Sequence, residues 1–245
     1  MTYPNPIYID ETCSTNSYLA ELCNNGEMTE LTCVYTAFQS RGRGQRGNSW
    51  ESENGKNLLM SFVMYPHFVE INKQFILAEI TALAIKDVLS AYTEGISIKW
   101  PNDIYWHDKK ICGTLTENDL TGSLISRCIS GSGINLNQTV FRSDAPNPIS
   151  LSQITGKEYN IEKVLQELME RIAYYYVQLK EGRNEEIRKT YKAALYRRKG
   201  YYEYRDANGD FEAQFVDVEP IGRLVLEDRD GNTRKYMFKE VEFVL

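Results

Sequence analysis

The sequence has few of the residues that hold structural metals or bridge secreted domains. It has two histidines, His67 and His107, and five cysteines, none of them in a C-x-x-C pair. A structural zinc site needs four cysteine or histidine ligands at short spacings, so none is expected. An odd number of unpaired cysteines favours free thiols in a reducing compartment, where each packs as a small apolar residue.

Long apolar runs and an excess of positive charge are also missing. No apolar stretch approaches the roughly 20 residues that span a bilayer, and the start, MTYPNPIYIDE, lacks the basic and then apolar pattern of a signal peptide. The formal net charge is −6, so the surface as a whole repels nucleic acid. We therefore expect a cytoplasmic protein that binds neither a membrane nor DNA.

The remaining composition is that of an ordinary globular protein, with 245 residues of which 42% are hydrophobic and 25% charged. Apolar residues recur at helical spacing in QFILAEITALAIKDVLSAY, which predicts a long helix facing the core. Strand-like runs such as LTCVYTAF and NLLMSFVMYP often follow one another without an intervening helix. This order predicts an α+β fold with a mixed sheet and argues against a regular βαβ array.

The final fifty residues change character. From about Lys199 the residues alternate between apolar and polar, and NGD, IG and DGN interrupt them every 10 or so residues, which is typical of a small all-β module. We therefore predict two domains, 1–198 and 199–245.

The segment QSRGRGQRGNSW, residues 39–50, carries a G-x-G-x-x-G pattern that permits three interpretations. A dinucleotide turn needs a helix to begin at the third glycine, and GNSWESENGKN is a poor helix start. A lone RG pair between two strands is not an RNA-binding repeat. A loop that folds over an anion fits best, because glycines allow close approach and arginine forks bind carboxylate and phosphate. Taken alone, the segment could equally be a solvated basic loop.

Three further motifs accompany this glycine–arginine segment. They are KWPNDIYW at 99–106, KKICGTLTE at 109–117 and SGSGINLN at 130–137, and STN precedes them at 14–16. Together the motifs resemble those of biotin–protein ligases over nearly the whole chain. The resemblance implies a catalytic domain of the class II aminoacyl-tRNA synthetase and biotin ligase type, followed by an SH3-like β-barrel. Because STN begins at Ser14, we expect a form without the N-terminal DNA-binding domain of some relatives.

The resemblance also implies a two-step reaction that uses ATP and Mg²⁺. Biotin is first activated to biotinyl-5'-AMP with release of pyrophosphate, and is then transferred to a lysine of a biotin carboxyl carrier domain. The implied activity is that of a biotin–[acetyl-CoA-carboxylase] ligase. The sequence leaves open the acceptor carboxylase, the magnesium ligands, and whether the protein is a monomer or a homodimer.

The resemblance implies roles for individual residues. Arg43 and Lys110 hold the biotin carboxylate and the α-phosphate, and Asp103 lies beside the incoming lysine amine, with Lys99 and Asn102 as supporting contacts. The implied biotin-binding residues are Ser14, Thr15, Asn16, Gln39, Gly42, Arg43, Lys110, Gly113 and Gly131. The implied ATP- or adenylate-binding residues are Arg43, Arg46, Trp50, Asn102, Lys110 and Asn135.

Each of these residues has a plainer interpretation. Ser14 and Thr15 fit helix caps, Gly113 and Gly131 fit ordinary strand or turn glycines, and Asn135 could satisfy its own loop.

The two adjacent lysines must also be told apart. Lys109 and Lys110 are neighbours in a predicted strand and point to opposite faces, so only one can line a pocket. We favour Lys110 and interpret Lys109 as a surface lysine at a hairpin tip. Asp103 could instead be a structural carboxylate after a proline turn.

One position departs from the family pattern. Many members have an arginine where this chain has Gln45, so retention of the adenylate would depend on Arg43, Arg46 and Lys110. Three other functions remain as alternatives. They are a lipoate–protein ligase with the same two-step logic, a non-catalytic protein-binding module, and an RNA-binding protein.

Overall fold

The computed structural model describes residues 3–26, 28–44, 48–143 and 147–244. The strands are β1 Ile7–Thr12, β2 Cys33–Gln39, β3 Leu58–Met64, β4 Ile96–Lys99, β5 Asp103–Trp106, β6 Lys109–Thr121, β7 Leu124–Ile134, β8 Tyr201–Asp206, β9 Gly209–Val218, β10 Leu224–Asp228, β11 Thr233–Tyr236 and β12 Glu242–Phe243. The helices are α1 Thr15–Asn25, α2 Phe75–Ser90, α3 Leu151–Thr155, α4 Ile161–Lys180 and α5 Asn184–Ala193, with a short 3₁₀ turn at Ile71–Lys73.

The first seven strands form one mixed sheet in the order β1-β2-β3-β7-β6-β5-β4. Strands β1 and β2 run parallel, and the other neighbouring pairs are antiparallel. Strand β3, LLMSFVM, is buried along its whole length. A strand that is apolar on both faces belongs in the middle of a covered sheet, where β3 lies. The predicted α+β fold with a mixed sheet is confirmed.

Alternate residues of β3 separate the two faces of the sheet. Met60 and Phe62 belong to the main core, which also contains buried residues of α2 and α4; we call this side the helix face. Ser61 and Val63 point the other way, where α1 packs on β2, β3 and β7; we call this side the α1 face. The central strands of the sheet are therefore covered on both faces.

The helices begin where local chemistry allows. Helix α4 starts after Asn160, whose side chain accepts a hydrogen bond from the backbone N–H of Lys163 at 2.8 Å, as expected of a helix cap. The short helix α3 was not predicted. Its Ser150 and Gln153 form a reciprocal capping box, and the S-x-x-Q spacing was the signal for it.

Strands β8–β12 form a second, antiparallel sheet in the order β11-β10-β9-β8-β12, consistent with an SH3-like barrel. The barrel packs on the larger layer: the Trp100 indole N–H donates to the Gly222 carbonyl at 3.0 Å, and Lys192 pairs with Asp217 at 2.5 Å. The domain boundary at residue 199 stays a prediction.

The cysteines are free thiols, as predicted. Burial raises the pKa of the Cys33, Cys112 and Cys128 thiols well above the usual range. Within the described ranges, the helices are too short or too polar to cross a membrane.

Candidate functional site

A cavity of about 760 Å³ opens on the α1 face of the sheet. Its walls come from the start of α1, the glycine–arginine segment, β5, β6 and β7, and one residue of the barrel, Phe238. The predicted site residues that line it are Ser14, Thr15, Asn16, Gln39, Arg43, Trp50, Asn102, Asp103, Lys110, Gly113 and Gly131. Topology thus brings together motifs that are far apart in the sequence, whereas their chemical roles stay predictions.

The floor of the cavity is made of glycines that other residues could not replace. A Cβ on Gly131 would lie 1.9 Å from the Asn16 Oδ1, and one on Gly133 would lie 2.3 Å from the Trp50 Nε1. A Cβ on Gly113 would lie 2.8 Å from the Trp50 ring. Close approach of side chains to the backbone therefore explains the S-G-S-G pattern of β7. Gly133 was missed, although it shares a strand face with Gly131.

The N-terminus of α1 is closed by β2. Ser14 occupies the N-cap position, but its hydroxyl makes no capping hydrogen bond. The Gln39 side-chain oxygen instead accepts from the Thr15 backbone N–H at 2.8 Å. The predicted helix cap at Ser14 or Thr15 is therefore confirmed in position at Ser14, although Gln39 accepts the hydrogen bond from the helix N-terminus. The buried Ser14 hydroxyl faces the cavity.

Strands β5 and β6 bring a cation and a carboxylate into contact. The Lys110 Nζ lies 2.7 Å from the Asp103 Oδ2, and about a quarter to a third of each side chain is exposed (30% and 26%). The Lys110 Nζ also lies 5.9 Å from the centre of the Trp50 ring. Lys109 is exposed and lines no part of this cavity.

The described parts of the glycine–arginine segment pair with each other across residues 45–47. The Gly44 N–H donates to the Asn48 carbonyl at 2.6 Å, and the Trp50 N–H donates to the Gly42 carbonyl at 2.9 Å. Gly42 therefore shapes the backbone of the segment and does not line the cavity wall. Arg46 and Gln45 lie outside the described residues.

Arg43 belongs to the glycine–arginine segment and lines the cavity. It forms an ion pair with Glu117, a residue for which no role was predicted. Its guanidinium lies 2.6 Å from a carboxylate oxygen of Glu117, on β6. Glu117 shares a strand face with Gly113 and Leu115, both of which line the cavity. This alternation was the available signal, but the pairing itself joins residues 74 positions apart.

Two polar atoms near the cavity are buried without a partner among the described residues, the Asn135 Oδ1 and the Trp50 Nε1. The Asn135 Nδ2 donates to the Ile149 carbonyl at 3.1 Å, which orients the amide. An unpaired buried polar atom costs about 1–3 kcal/mol. Asn135 lies behind the cavity wall and does not line it, so a donor group from a ligand or a water would have to reach past the wall.

Lys99 lies apart from the cavity wall. Its ammonium group sits over the rings of Tyr105 and Phe243, at 5.2 and 5.1 Å from their centres. Burial lowers the pKa of Lys99, and the nearby Asp103 opposes this effect. Lys99 therefore fastens β4 to the barrel through aromatic contacts.

The described residues contain no group of three or more histidine, cysteine, aspartate or glutamate side chains that could hold a metal ion. The carboxylates at the cavity, Asp103 and Glu117, are both ion-paired. A magnesium ion with its preferred oxygen shell would need the phosphates of a nucleotide and water for most of its ligands.

Comparison with known proteins was made on sequence and on structure. Residues 8–135 match the Biotin/lipoate A/B protein ligase family. The chain is 30% identical to the bifunctional ligase/repressor BirA of Bacillus spizizenii, over 94% of this chain and 71% of that protein. It is 26% identical to the biotin--[acetyl-CoA-carboxylase] ligase of Paracoccus denitrificans, over 90% of this chain and 93% of the relative.

The structural comparison covers the whole chain. The biotin protein ligase from Aquifex aeolicus in complex with biotin and ATP superposes with a TM-score of 0.82 at 25% identity, over 99% of this chain and 100% of the other.

Proposed function

Because the chain belongs to the biotin/lipoate A/B protein ligase family, we propose that it is an ATP-dependent biotin–protein ligase. It activates biotin to biotinyl-5'-AMP and transfers the biotin to a lysine of a carrier domain. One observation carries this proposal: a single cavity holds Arg43, the Lys110–Asp103 pair and a glycine floor. The relatives that are ligases for biotin support biotin as the acid.

The first step joins two anions. An oxygen of the biotin carboxylate attacks the α-phosphorus of ATP, and the bond from that phosphorus to the bridging oxygen of the β-phosphate breaks. Pyrophosphate leaves with the electrons of that bond. Lys110 and Arg43 lower the repulsion between carboxylate and phosphate, which is the main electrostatic obstacle. Magnesium would enter as the ATP complex, held chiefly by the phosphates.

The ring end of biotin is apolar apart from its ureido group. Trp50 and Asn16 pack directly on the glycines of β6 and β7, so the flat bicyclic ring would lie in the cavity beside these two side chains. Ser14, Thr15 and Gln39 supply hydroxyl and amide groups at one end of the same cavity, as a ureido carbonyl and its N–H groups require.

Asn135 stays a proposed contact for the base end of the adenylate, and because it does not line the cavity, the wall would have to move for the base to reach it. The Asn135 side-chain oxygen lacks a donor among the described residues, and adenine carries an exocyclic amino group that could supply one. Trp50 would pack against the base with its ring. The buried acceptor and the aromatic plane together suit a purine better than a second acyl group.

The second step needs a neutral lysine amine. A free lysine has a pKa of about 10.4, so few are neutral near pH 7. The amine nitrogen attacks the acyl carbon, the bond from that carbon to the phosphate oxygen breaks, and AMP leaves. Asp103, held at the cavity by Lys110, accepts the proton that the amine loses. The acceptor belongs to a biotin-dependent carboxylase, as in biotin–[acetyl-CoA-carboxylase] ligases, and the reaction takes place in the cytoplasm.

The proposal is tested with the purified protein, MgATP, biotin and a biotin carboxyl carrier domain. We expect the carrier to gain the mass of one biotin, and the Lys110→Ala variant to lose at least 100-fold in initial rate, as is typical when a charge-stabilising group is removed. Lys109→Ala is the matched control and should keep a rate close to that of the unmodified protein.

A parallel reaction contains lipoate and a lipoyl domain. Mass gain only in that reaction would make the protein a lipoate ligase, and no mass gain in either would remove the ligase proposal.

A further inference from the structure

We infer that Glu117 is a positioning residue that ties Arg43 of the glycine–arginine segment to Asn16 at the start of α1. This inference rests on the proposed function, because it concerns how the site presents Arg43 to biotin. Glu117 is the last residue of the KKICGTLTE motif, but no role was predicted for it, and it does not line the cavity itself.

One carboxylate oxygen of Glu117 makes both contacts. It accepts from the Arg43 Nη2 at 2.6 Å and from the Asn16 Nδ2 at 2.8 Å. The side chains of Arg43 and Glu117 are 44% and 43% exposed, whereas only 3% of Asn16 is exposed. Glu117 therefore connects a buried amide to a cation at the cavity mouth.

The connection continues through the wall of the cavity. The Asn16 Oδ1 can only accept, and the Ser61 hydroxyl donates to it at 2.6 Å. The Ser61 and Thr15 hydroxyl oxygens lie 2.7 Å apart, and the Thr15 backbone N–H donates to Gln39 at 2.8 Å. Gln39 begins the glycine–arginine segment. The chain of contacts thus leaves this segment at Gln39 and returns to it at Arg43, through Glu117.

A glutamate beside an anion-binding site needs a reason, because its charge repels the ligand. The reason lies in the donor geometry of arginine. Among the described contacts, Glu117 uses one terminal nitrogen of Arg43, whereas a guanidinium offers five N–H donors in a fixed fork. Held through that nitrogen, Arg43 still has donors for the biotin carboxylate, and its direction is fixed before the ligand arrives.

Charge and positioning predict opposite effects of the same substitution. If Glu117 only contributes charge, Glu117→Gln removes a repulsive anion and biotin binds more tightly. If Glu117 positions Arg43, the neutral variant holds Arg43 less firmly and biotin binds more weakly. We expect a loss of up to about fivefold in biotin affinity, the upper range for an ion pair that is partly exposed to solvent.

The test is isothermal titration of biotin into the full chain without ATP, for Glu117→Gln, Arg43→Ala and the double variant. A residue that acts through Arg43 adds nothing once Arg43 is absent. The double variant should therefore bind biotin within about twofold of Arg43→Ala. Tryptic cleavage of the glycine–arginine segment, measured without ligand, should be faster in Glu117→Gln than in the unmodified protein.

Asp119→Asn is the matched control. Asp119 lies two residues further along β6 and pairs with Arg127 at 2.5 Å, away from the cavity wall. This variant should leave both biotin affinity and cleavage unchanged. Tighter binding by Glu117→Gln, or losses that add in the double variant, would overturn the positioning role. An unmodified protein that binds no biotin would instead count against the proposed function.

Discussion

The two faces of the seven-stranded sheet are built from alternate residues of the same strands, yet they treat polar groups differently. On the helix face, Ser130 of β7 pairs hydroxyl to hydroxyl with Thr116 at 3.2 Å and with Thr81 of α2 at 3.4 Å. On the α1 face, the next residue of β7 is Gly131, and the cavity there holds the ion-paired Arg43 and Lys110 and the Trp50 Nε1, which has no partner among the described residues. The hydroxyl groups of the helix face hydrogen-bond to one another, whereas the α1 face has polar and charged groups beside the cavity that a ligand could contact.

This contrast explains why one sheet can be both stable and reactive. Apolar packing against α2 and α4 stabilises the fold without help from the site. The α1 face can then give up packing for glycines and charges, which are costly to stability but suited to binding.

The largest expected effect comes from Phe62 on the helix face, and it tests whether a loss of stability leaves biotin binding unchanged. Phe62 is fully buried in the main core, so Phe62→Ala should lower the free energy of unfolding by about 3–5 kcal/mol. Urea denaturation measures this loss. Biotin affinity of the folded fraction should stay within about twofold, because the side chain points away from the cavity. A large change in affinity would show that the two faces are not independent.

The next largest effect is expected on the α1 face, where a substitution should impair activity and leave stability nearly unchanged. In Gly133→Ala, the new methyl group would lie 2.3 Å from the Trp50 Nε1 and must displace the ring. We expect the rate of carrier biotinylation to fall about 100-fold, as for a site group moved by an ångström. The melting temperature should change little.

Gly26→Ala serves as the control for Gly133→Ala, because a Cβ there meets nothing nearer than 3.9 Å. A fully active Gly133→Ala variant would contradict the tight seating of Trp50.

The smallest expected effect concerns Glu79 of α2, a buried carboxylate on the helix face that is not fully hydrogen-bonded within the described chain. It is 1% exposed, and its Oε2 has no partner among the described residues. Burial raises the pKa of Glu79 from 4.5 to about 7, which the charges of Arg188 and Lys192 partly oppose. A pKa that is raised on folding favours the folded protein below pH 4.5, and this contribution is lost as the pH rises through 7.

The unmodified protein should therefore lose stability as the pH rises from 4.5 to 7, and the Glu79→Gln variant should lack this loss. The raised pKa corresponds to at most ~3 kcal/mol, and we expect less because the surroundings relax around an ionised carboxylate. Urea denaturation across this pH range measures the difference, with the exposed Glu94→Gln as control. Parallel stability curves for Glu79→Gln and the unmodified protein would mean that Glu79 is ionised in the folded state throughout.

Most of the fold could be predicted from periodicity. The helical spacing from Phe75 to Leu89 and the alternation after Lys199 gave the long helix and the second sheet, because core burial imposes those periods. The five-residue helix α3 was missed, since it is too short to show a period and only its capping pattern marks it.

The sequence predicted candidate site residues only where they belong to a recognisable motif. Lys110 and Gly131 belong to motifs, and the fold brings them to one cavity. Glu117 ends the KKICGTLTE motif without a predicted role and Ser61 belongs to no motif, and the contacts of both depend on the order of strands in the sheet. Strand pairing brings Ser61 of β3 beside Gly131 of β7, which no local pattern in either strand reveals.

The contact between Trp100 and Gly222 has a consequence for synthesis of the chain. Trp100 lies three residues before Asp103, and the carbonyl that it binds belongs to a residue 122 positions later. Phe238, on the cavity wall, is made later still. A nascent chain whose first 200 residues have left the ribosome can form the large sheet, but the segment that carries Asp103 lacks its anchor. The cavity wall is therefore complete only after residues 222 and 238 have been made.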